Sequence, residues 1–364
     1  MTDNPIAKQV CFTSCNIAYL NKAAVLAKTF KQHHPDWIFN VLLSDVGNRQ
    51  EIMSTLPTEV DGIVFWDDLD VPSPVSWSFC HDAEELCTAV KPFYSSQLLD
   101  EGVGTVLFLD PDIAVFRRLD EIDRYLEENS ILLIPHLWEP VDDTRHIELH
   151  EISTLAHGIF NLGFFAVKND QGARDAMRFW KNRTAKYCYR DHASGLFTDQ
   201  KWVNLFPIYF DGVKILKERT LNISSWNLIN IELNGSYPDV FASGLPVGFI
   251  HFSGIDHDVF TYASAQVGQL TNTVLQLIEW YKGAIALETR STTTGKGELL
   301  HYQSGRRIRK AHRIAYRSDP TLISCYSNPY DDLSVDSYYR RFVEKHEQAL
   351  IDKYENPHMI PRRY

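Results

Sequence analysis

The stretch that decides the fold is Val106-Leu107-Phe108-Leu109-Asp110-Pro111-Asp112-Ile113. Its four apolar residues predict a buried strand, which runs directly into two carboxylates with one proline between them. Two neighbouring acids repel each other, and a divalent cation with oxygen preference would offset that repulsion, particularly if phosphate oxygens also hold it. Because proline fixes φ and lacks an N–H, the turn is stiff and both acids can face one point. A simple polar turn after a strand is the alternative interpretation.

The rest of the chain alternates between strand and helix patterns. Strands are predicted over residues 10–14, 39–43, 62–66, 106–109, 131–136, 163–167 and 249–252. Helical spacing of apolar residues covers 18–33, about 82–101 and 174–186. Strands separated by helices indicate βαβ units. The predicted fold class is therefore α/β, with a Rossmann-like, mostly parallel sheet flanked by helices.

Polar residues follow four of the predicted strands. They are Thr13-Ser14, Ser44-Asp45, Asp67-Asp68, and the pair Asp110 and Asp112. In open parallel sheets, ligands bind in the crevice beyond the carboxyl ends of the strands. We therefore expect these polar residues to converge on one crevice.

The composition, with 44% hydrophobic and 23% charged residues, indicates a soluble globular protein rather than a nucleic-acid binder. The 36 Lys and Arg against 47 Asp and Glu give a net charge of −11 over 364 residues, which disfavours general binding to a polyanion. No apolar run is long enough to span a membrane, and the N-terminus does not resemble a secretory signal. The six cysteines form no Cys-x-x-Cys pair, so neither a zinc site nor a redox motif is indicated. We expect a cytoplasmic protein.

The composition changes after about Leu287. Residues 291–297 are typical of a linker or mobile loop, so we divide the chain into domains at 1–287 and 288–364 and expect the second to be a helical extension. A basic run marks this extension: Arg306, Arg307, Arg309, Lys310, Arg313 and Arg317. It predicts either contact with anionic lipid head groups, at the inner face of the membrane, or a solvated helix face.

Several motifs in order resemble nucleotide-sugar glycosyltransferases of the GT-A fold. They are Thr13-Ser14 after the first strand, Lys91-Pro92, Leu109-Asp110-Pro111-Asp112-Ile113, Asn161-Leu162-Gly163-Phe164-Phe165, Thr198-Asp199-Gln200 with Asn204, and His251-Phe252-Ser253-Gly254. The chain is most similar to glycogenin-like and bacterial lipopolysaccharide hexosyltransferases of family 8. The similarity covers roughly residues 8 to 285.

The resemblance implies a metal site and a nucleotide-sugar donor. Asp110 and Asp112 would be the Asp-x-Asp pair, which binds Mn²⁺ or Mg²⁺ against the donor diphosphate. His251 would complete the metal shell, and imidazole suits Mn²⁺ better than Mg²⁺. A histidine after an apolar strand is otherwise usually structural.

The resemblance also assigns residues to the donor. Thr13, Ser14, Tyr19 and Asp45 would contact the nucleoside, although Ser and Thr are equally suited to cap the first helix. Lys91 would face sugar or phosphate, unless it is an ordinary surface lysine behind Pro92 at a helix start. Asn161, Gly163 and Gly254 would lie at the donor sugar and diphosphate.

The remaining assignments concern catalysis and the acceptor. Asp199 is the best candidate for the catalytic or sugar-orienting carboxylate, with Gln200 beside it; helix capping by Thr198 or Asp199 is the alternative. Trp226 and Asn227 would form an acceptor platform, because an aromatic face fits a pyranose, or Trp226 would be a core residue.

The resemblance implies transfer of a hexose from a UDP-sugar to a saccharide or lipid-linked glycan, in polysaccharide or lipopolysaccharide synthesis, with retention of configuration. An inverting transferase would need a general base such as Asp199, Asp256 or His257. A sugar-phosphate nucleotidyltransferase usually opens with a glycine-rich loop, whereas Thr13-Ser14-Cys15-Asn16 contains no glycine. A non-catalytic glycan-binding protein is the third alternative.

Overall fold

The computed structural model describes residues 8–45, 47–288 and 298–355. Its strands are β1 Gln9–Cys15, β2 Ile38–Leu43, β3 Gly62–Phe65, β4 Thr105–Leu109, β5 Ile113–Val115, β6 Ile131–Pro135, β7 Phe160–Lys168, β8 Arg190–Asp191, β9 Leu196–Phe197, β10 Val213–Ile215, β11 Leu233–Ser236, β12 Asp239–Ala242, β13 Leu245–Pro246 and β14 Phe249–His251. The predicted linker at 291–297 lies outside the described residues.

Sixteen α-helices are found in the described part of the chain. They are α1 Leu20–His33, α2 Arg49–Thr55, α3 Pro74–Phe79, α4 Ala83–Ala89, α5 Lys91–Asp100, α6 Asp120–Glu128, α7 Thr144–His146, α8 Ile152–His157, α9 Gln171–Tyr187, α10 Gln200–Val203, α11 Phe206–Tyr209, α12 Val259–Gln266, α13 Asn272–Glu288, α14 Lys310–Ser318, α15 Pro320–Cys325 and α16 Glu344–Tyr354. Within these described residues no helix has the length and apolar character needed to cross a bilayer.

Seven strands form the central sheet in the order β10-β6-β7-β4-β1-β2-β3. β7 runs antiparallel to its neighbours β4 and β6, and the other pairs in the sheet are parallel. β4 and β7 are apolar and buried along nearly their whole length, as expected for strands covered by helices on both faces. The predicted α/β class with a mostly parallel sheet flanked by helices is confirmed.

The two faces of the sheet have separate cores. On one face Phe12, Phe108 and Phe165 pack with Leu98 of α5 and Trp180 of α9. On the other face Leu107, Leu109 and Phe164 pack with Leu26 and Phe30 of α1. Alternate residues of β1, β4 and β7 thus point to opposite faces, which is the period-two pattern of a strand.

Two further clusters extend this body. β11 to β14 pack with α12 and α13 around Phe252 and Tyr281, and the second cluster joins Phe79 and Cys80 to the C-terminal extension through Tyr302, Ile308, Tyr316, Tyr338 and Val343. The extension is helical, as expected, and it shares a core with the segment around α3.

The basic run of the extension is only partly exposed. Arg313 is buried, and its Nη1 donates to the carbonyl oxygens of Phe79 at 2.9 Å and His81 at 2.7 Å. The prediction that Arg313 contacts a membrane is therefore wrong, because its charge serves backbone acceptors inside the molecule. Arg309 pairs with Glu355 at 3.3 Å, while Arg306, Arg307 and Lys310 are exposed. Membrane contact through the exposed residues stays a prediction.

Candidate active site

Asp110, Asp112 and His251 come together because two short strands meet beside the sheet. The acidic loop connects β4 to β5, and β14 pairs antiparallel with β5 so that His251 lies opposite Ile113. Nε2 of His251 is 2.9 Å from Oδ1 of Asp112 and 3.8 Å from Oδ2 of Asp110. One ligand atom from each residue falls within 4.8 Å of the others, so a single ion could contact all three.

Gly163 makes this arrangement possible. The backbone N–H of Asp110 donates to the carbonyl oxygen of Gly163 at 2.9 Å, which continues the pairing of β4 with β7. A Cβ atom on Gly163 would lie 2.5 Å from Cε1 of His251 and 2.7 Å from Oδ1 of Asn161. The glycine therefore leaves the space that the imidazole occupies.

Opposing effects set the charges of the three residues. Burial raises the pKa of Asp110, and Lys91 and His251 only partly counteract it. Burial alone would raise the pKa of Asp112, but the charge and hydrogen bond of His251 and the charge of Lys22 hold it below its usual range. Burial would lower the pKa of His251, but Asp112 and Asp110 raise it above its usual range. The negative charges of the two carboxylates and the positive charge of the imidazole thus stabilise one another against the effect of burial.

The donor set fits a divalent cation. Two carboxylates and one imidazole supply hard oxygen ligands and one nitrogen ligand, a combination more suited to Mn²⁺ than to Mg²⁺. All three side chains are held by backbone pairing of the strands around them, so the site would be largely preformed.

Lys91 lies behind the acidic loop and joins it to Asp199. Its Nζ is 3.5 Å from Oδ1 of Asp110 and 3.3 Å from Oδ2 of Asp199, and it donates to the carbonyl oxygen of Leu162 at 3.0 Å. Burial would lower the pKa of Lys91, but Asp110 and Asp199 raise it, so the ammonium stays charged. Lys91 is buried, which excludes the ordinary surface lysine.

Asp199 and Gln200 take up different tasks at the start of α10. The carboxylate of Asp199 makes no capping hydrogen bond and faces Lys91 instead, so the helix-capping alternative is wrong for this side chain. Burial raises the pKa of Asp199. The amide of Gln200 accepts from the N–H of Leu162 at 3.0 Å and donates to the carbonyl oxygen of His157 at 3.1 Å.

These residues line a cleft of about 720 Å³ beyond the ends of β1 and β4, within the usual size of a ligand site. The predicted residues that line it are Ser14, Tyr19, Lys91, Asp110, Asp112, Asn161, Gly163, Asp199, Gln200, Trp226 and His251. The ring of Trp226 stands perpendicular to that of His251, with centroids 5.2 Å apart. Trp226 is therefore at the cleft and not in the core.

The lining of the cleft also contains histidines that the sequence did not predict. His136, His150 and His157 line the cleft with Leu149 and Phe197. His136 follows β6, and its Nε2 is 3.3 Å from Nδ2 of Asn161. His150 and His157 belong to the helical segment of α7 and α8, which has no recognisable motif. Their spacing of seven residues on one helical face was the one signal available.

Four predicted residues lie elsewhere. Thr13 is buried within strand β1, and Asp45 lies in a smaller pocket with Asn16 and Ser44. Gly254 begins the turn after His251, with φ +70°. The amide of Asn227 accepts from the N–H of Ser224 and donates to the carbonyl oxygen of Asn222. It holds a loop beneath Trp226, so its predicted contact with an acceptor is wrong.

The expected convergence of strand ends is also incomplete. Asp67 and Asp68 pair with Arg49 at 2.7 and 2.8 Å and do not line the cleft. Of the four strand-end pairs, the cleft receives Ser14 and the two acids after β4, while Ser44 and Asp45 border the neighbouring small pocket.

No protein-family model matches the chain. An uncharacterized protein of Bacillus subtilis strain 168, YfnD, is 22% identical over 238 residues, which cover 65% of this chain and 74% of that protein. The galactosyltransferase LgtC, solved in complex with donor and acceptor sugar analogs, aligns with a TM-score of 0.47 and 17% identity over 78% of this chain and 96% of that chain. Mouse xyloside xylosyltransferase 1 aligns with a TM-score of 0.39 and 13% identity over 68% of this chain and 98% of that chain. The chain is thus similar to solved structures of glycosyltransferases, the class that its sequence resembles.

Proposed function

We propose that this protein is a metal-dependent glycosyltransferase that moves a hexose from a UDP-sugar to a saccharide or lipid-linked glycan acceptor. The observation that carries the proposal is the convergence of Asp110, Asp112 and His251 in the lining of a cleft of about 720 Å³. Such a donor set suits an ion that also binds diphosphate oxygens. The adjoining wall supplies amides, imidazoles and an aromatic ring, which are groups that bind sugars.

The bound Mn²⁺ or Mg²⁺ would neutralise charge on the departing nucleoside diphosphate. The residues of the chain position the reactants around it. Lys91 holds Asp110 and Asp199 in fixed relation, 3.5 and 3.3 Å from its Nζ. Asp199 would orient the sugar hydroxyls. Gln200, whose amide is hydrogen-bonded to the backbone of Leu162 and His157, would lie beside the sugar.

We further propose that transfer retains the anomeric configuration. Inversion requires a general base at the acceptor hydroxyl. Of the three groups considered for that task, Asp199 faces Lys91, and Asp256 and His257 do not line the cleft. None of these three groups is therefore a free base in the cleft, which favours retention.

The test is the turnover of UDP-glucose and UDP-galactose with added Mn²⁺, with and without a chelator. We expect hydrolysis or transfer that the chelator stops, and an Asp112→Asn variant without measurable turnover. Asp120→Asn is the matched control, because that side chain is 80% exposed on α6. Unchanged turnover by the Asp112 variant would show that the metal assignment is wrong. A thermal-shift screen of nucleotide sugars with Mn²⁺ would identify the donor, because ligand binding stabilises the native state.

A further inference from the structure

No lysine or arginine among the described residues that line the cleft is free to meet a diphosphate. Among the described residues that line the cleft, the acids include Asp110, Asp112 and Asp199, and Lys91 is the one lysine or arginine. The ammonium of Lys91 is already shared between two of these acids and the carbonyl oxygen of Leu162. The positive charge of a bound divalent ion would be balanced largely by the acids that hold it. Part of the negative charge of a diphosphate would therefore still lack a positive partner.

Lys22 is a second cation, directly behind the cleft wall. It belongs to the first turn of α1, and its side chain is 3% exposed. Its Nζ lies 3.6 Å from the centroid of the Tyr19 ring, and Tyr19 lines the cleft. Lys22 is close enough for its charge to act on the carboxylate of Asp112. The Tyr19 ring thus lies in contact with this ammonium and lines the same cleft as the metal ligands.

The carboxylate that pairs with Lys22 can be exchanged. Nζ of Lys22 donates to Oδ2 of Asp256, whose side chain is 44% exposed. Asp256 lies in the short turn that follows His251, between Gly254 and Asp258, both in the left-handed region with φ +70° and +55°. Asp256 can move into water at small cost, whereas a buried ammonium needs another anion in its place.

We propose that Lys22 is a donor-binding residue whose ammonium exchanges Asp256 for diphosphate oxygens when the nucleotide binds. This inference rests on the proposed function, because it assumes a nucleoside diphosphate beside Asp110 and Asp112. The turn after His251 then has two states. In the protein without nucleotide, the turn is held by the ion pair of Asp256 with Lys22. When Lys22 pairs with the diphosphate, the turn is released towards solvent.

The test compares UDP binding by titration calorimetry, with Mn²⁺ present, for the unchanged protein, Lys22→Met, Lys22→Arg and Asp256→Asn. We expect Lys22→Met to bind UDP about tenfold more weakly or worse, since it loses a charge-assisted contact with phosphate. Uridine, which lacks phosphates, should bind the unchanged protein and Lys22→Met with equal affinity. Lys22→Arg should retain most of the affinity for UDP.

Asp256→Asn separates ligand exchange from a merely structural ion pair. The Asp256→Asn change leaves the ammonium of Lys22 buried without its partner, so the variant without UDP should melt at a lower temperature than the unchanged protein. UDP should bind to it as tightly as to the unchanged protein, or more tightly. A structural ion pair predicts instead that the Asp256 and Lys22→Met changes weaken UDP equally, and that result would overturn the inference. If Lys22→Met does not fold, weaker UDP binding by Asp256→Asn than by the unchanged protein overturns the inference on its own.

Two other outcomes distinguish the inference from the proposed function. If the unchanged protein binds no UDP in the presence of Mn²⁺, both are overturned. If it binds UDP and a folded Lys22→Met variant binds it equally well, the metal-dependent donor site stands and the role of Lys22 is overturned.

Discussion

Gly163 and His251 share a space that admits one side chain. A methyl group on Gly163 would lie 2.5 Å from the imidazole, far inside van der Waals contact. We expect Gly163→Ala to displace His251, to lower Mn²⁺ affinity by about 10- to 100-fold, and to lower the free energy of unfolding by about 1–3 kcal/mol. Titration calorimetry with Mn²⁺ and urea unfolding would measure the two effects.

Gly283→Ala is the control for this prediction. Gly283 lies in α13, and a Cβ there would meet nothing within 4 Å. This alanine should raise stability by up to about 1 kcal/mol, because glycine is a poor helix former, and should leave Mn²⁺ affinity unchanged. Equal Mn²⁺ affinities for the unchanged protein and Gly163→Ala would contradict the packing argument.

Residue by residue, the sequence predicts the site best where a side chain follows a strand into a fixed turn. The acids after β4 and His251 at the end of β14 converge as expected, since backbone pairing leaves their side chains few directions. Asn227 could not be assigned in this way, because an asparagine that binds a loop backbone looks the same in a sequence as one that faces a sugar.

At the scale of elements, long and strongly periodic segments are predicted and short ones are not. Six of the seven strands of the central sheet and the helices α1 and α9 match the patterns in the sequence. The helical segment expected from about 82 to 101 is instead two helices, because Pro92 at the start of α5 cannot donate to the carbonyl of the preceding turn. β10 and the β11–β13 sheet are too short for a periodic signal.

α14 contributes a second prediction through Arg313. Its guanidinium satisfies the carbonyl oxygens of Phe79 and His81, and Arg313→Met would leave these buried acceptors without their donor. We expect a loss of about 3 kcal/mol in the free energy of unfolding, because hydrogen bonds from a charged donor are each worth about 1.5–3 kcal/mol. Urea unfolding would measure the loss.

Arg307→Met is the matched control, since Arg307 is exposed in the same basic run. Its stability should stay within about 0.5 kcal/mol of the unchanged protein. If both variants were equally stable, the buried arginine would not be needed to join the extension to α3.

For the molecule as a whole, buried histidines make stability depend on pH. Burial lowers the pKa of His34 to about 4, and it also lowers the pKa of His136 and of His312 to about 4. In the unfolded chain these groups have a pKa of about 6.5. Between the two values the unfolded state binds more protons than the native state, so stability is complete above pH 6.5 and falls as the pH is lowered towards 4.

The pH dependence that one buried histidine contributes can be measured at His34. Its Nε2 accepts from the N–H of Leu119 at 3.0 Å, and the amide of a glutamine at this position could accept in the same way without titrating. From pH 7 to pH 5, His34 should contribute a loss of about 2 kcal/mol, which His34→Gln would lack. Urea unfolding of both proteins at the two pH values tests this, and equal losses would show that His34 is protonated in the folded protein.

The hydrogen bonds of Arg313 to the segment around α3 have a consequence for folding during synthesis on the ribosome. The carbonyl oxygens of Phe79 and His81 are made more than two hundred residues before the guanidinium that they accept from. While the nascent chain is emerging, these acceptors can be served only by water, so the segment around α3 cannot take its final place. We expect the sheet to form first and α3 to dock only after α14 has been translated.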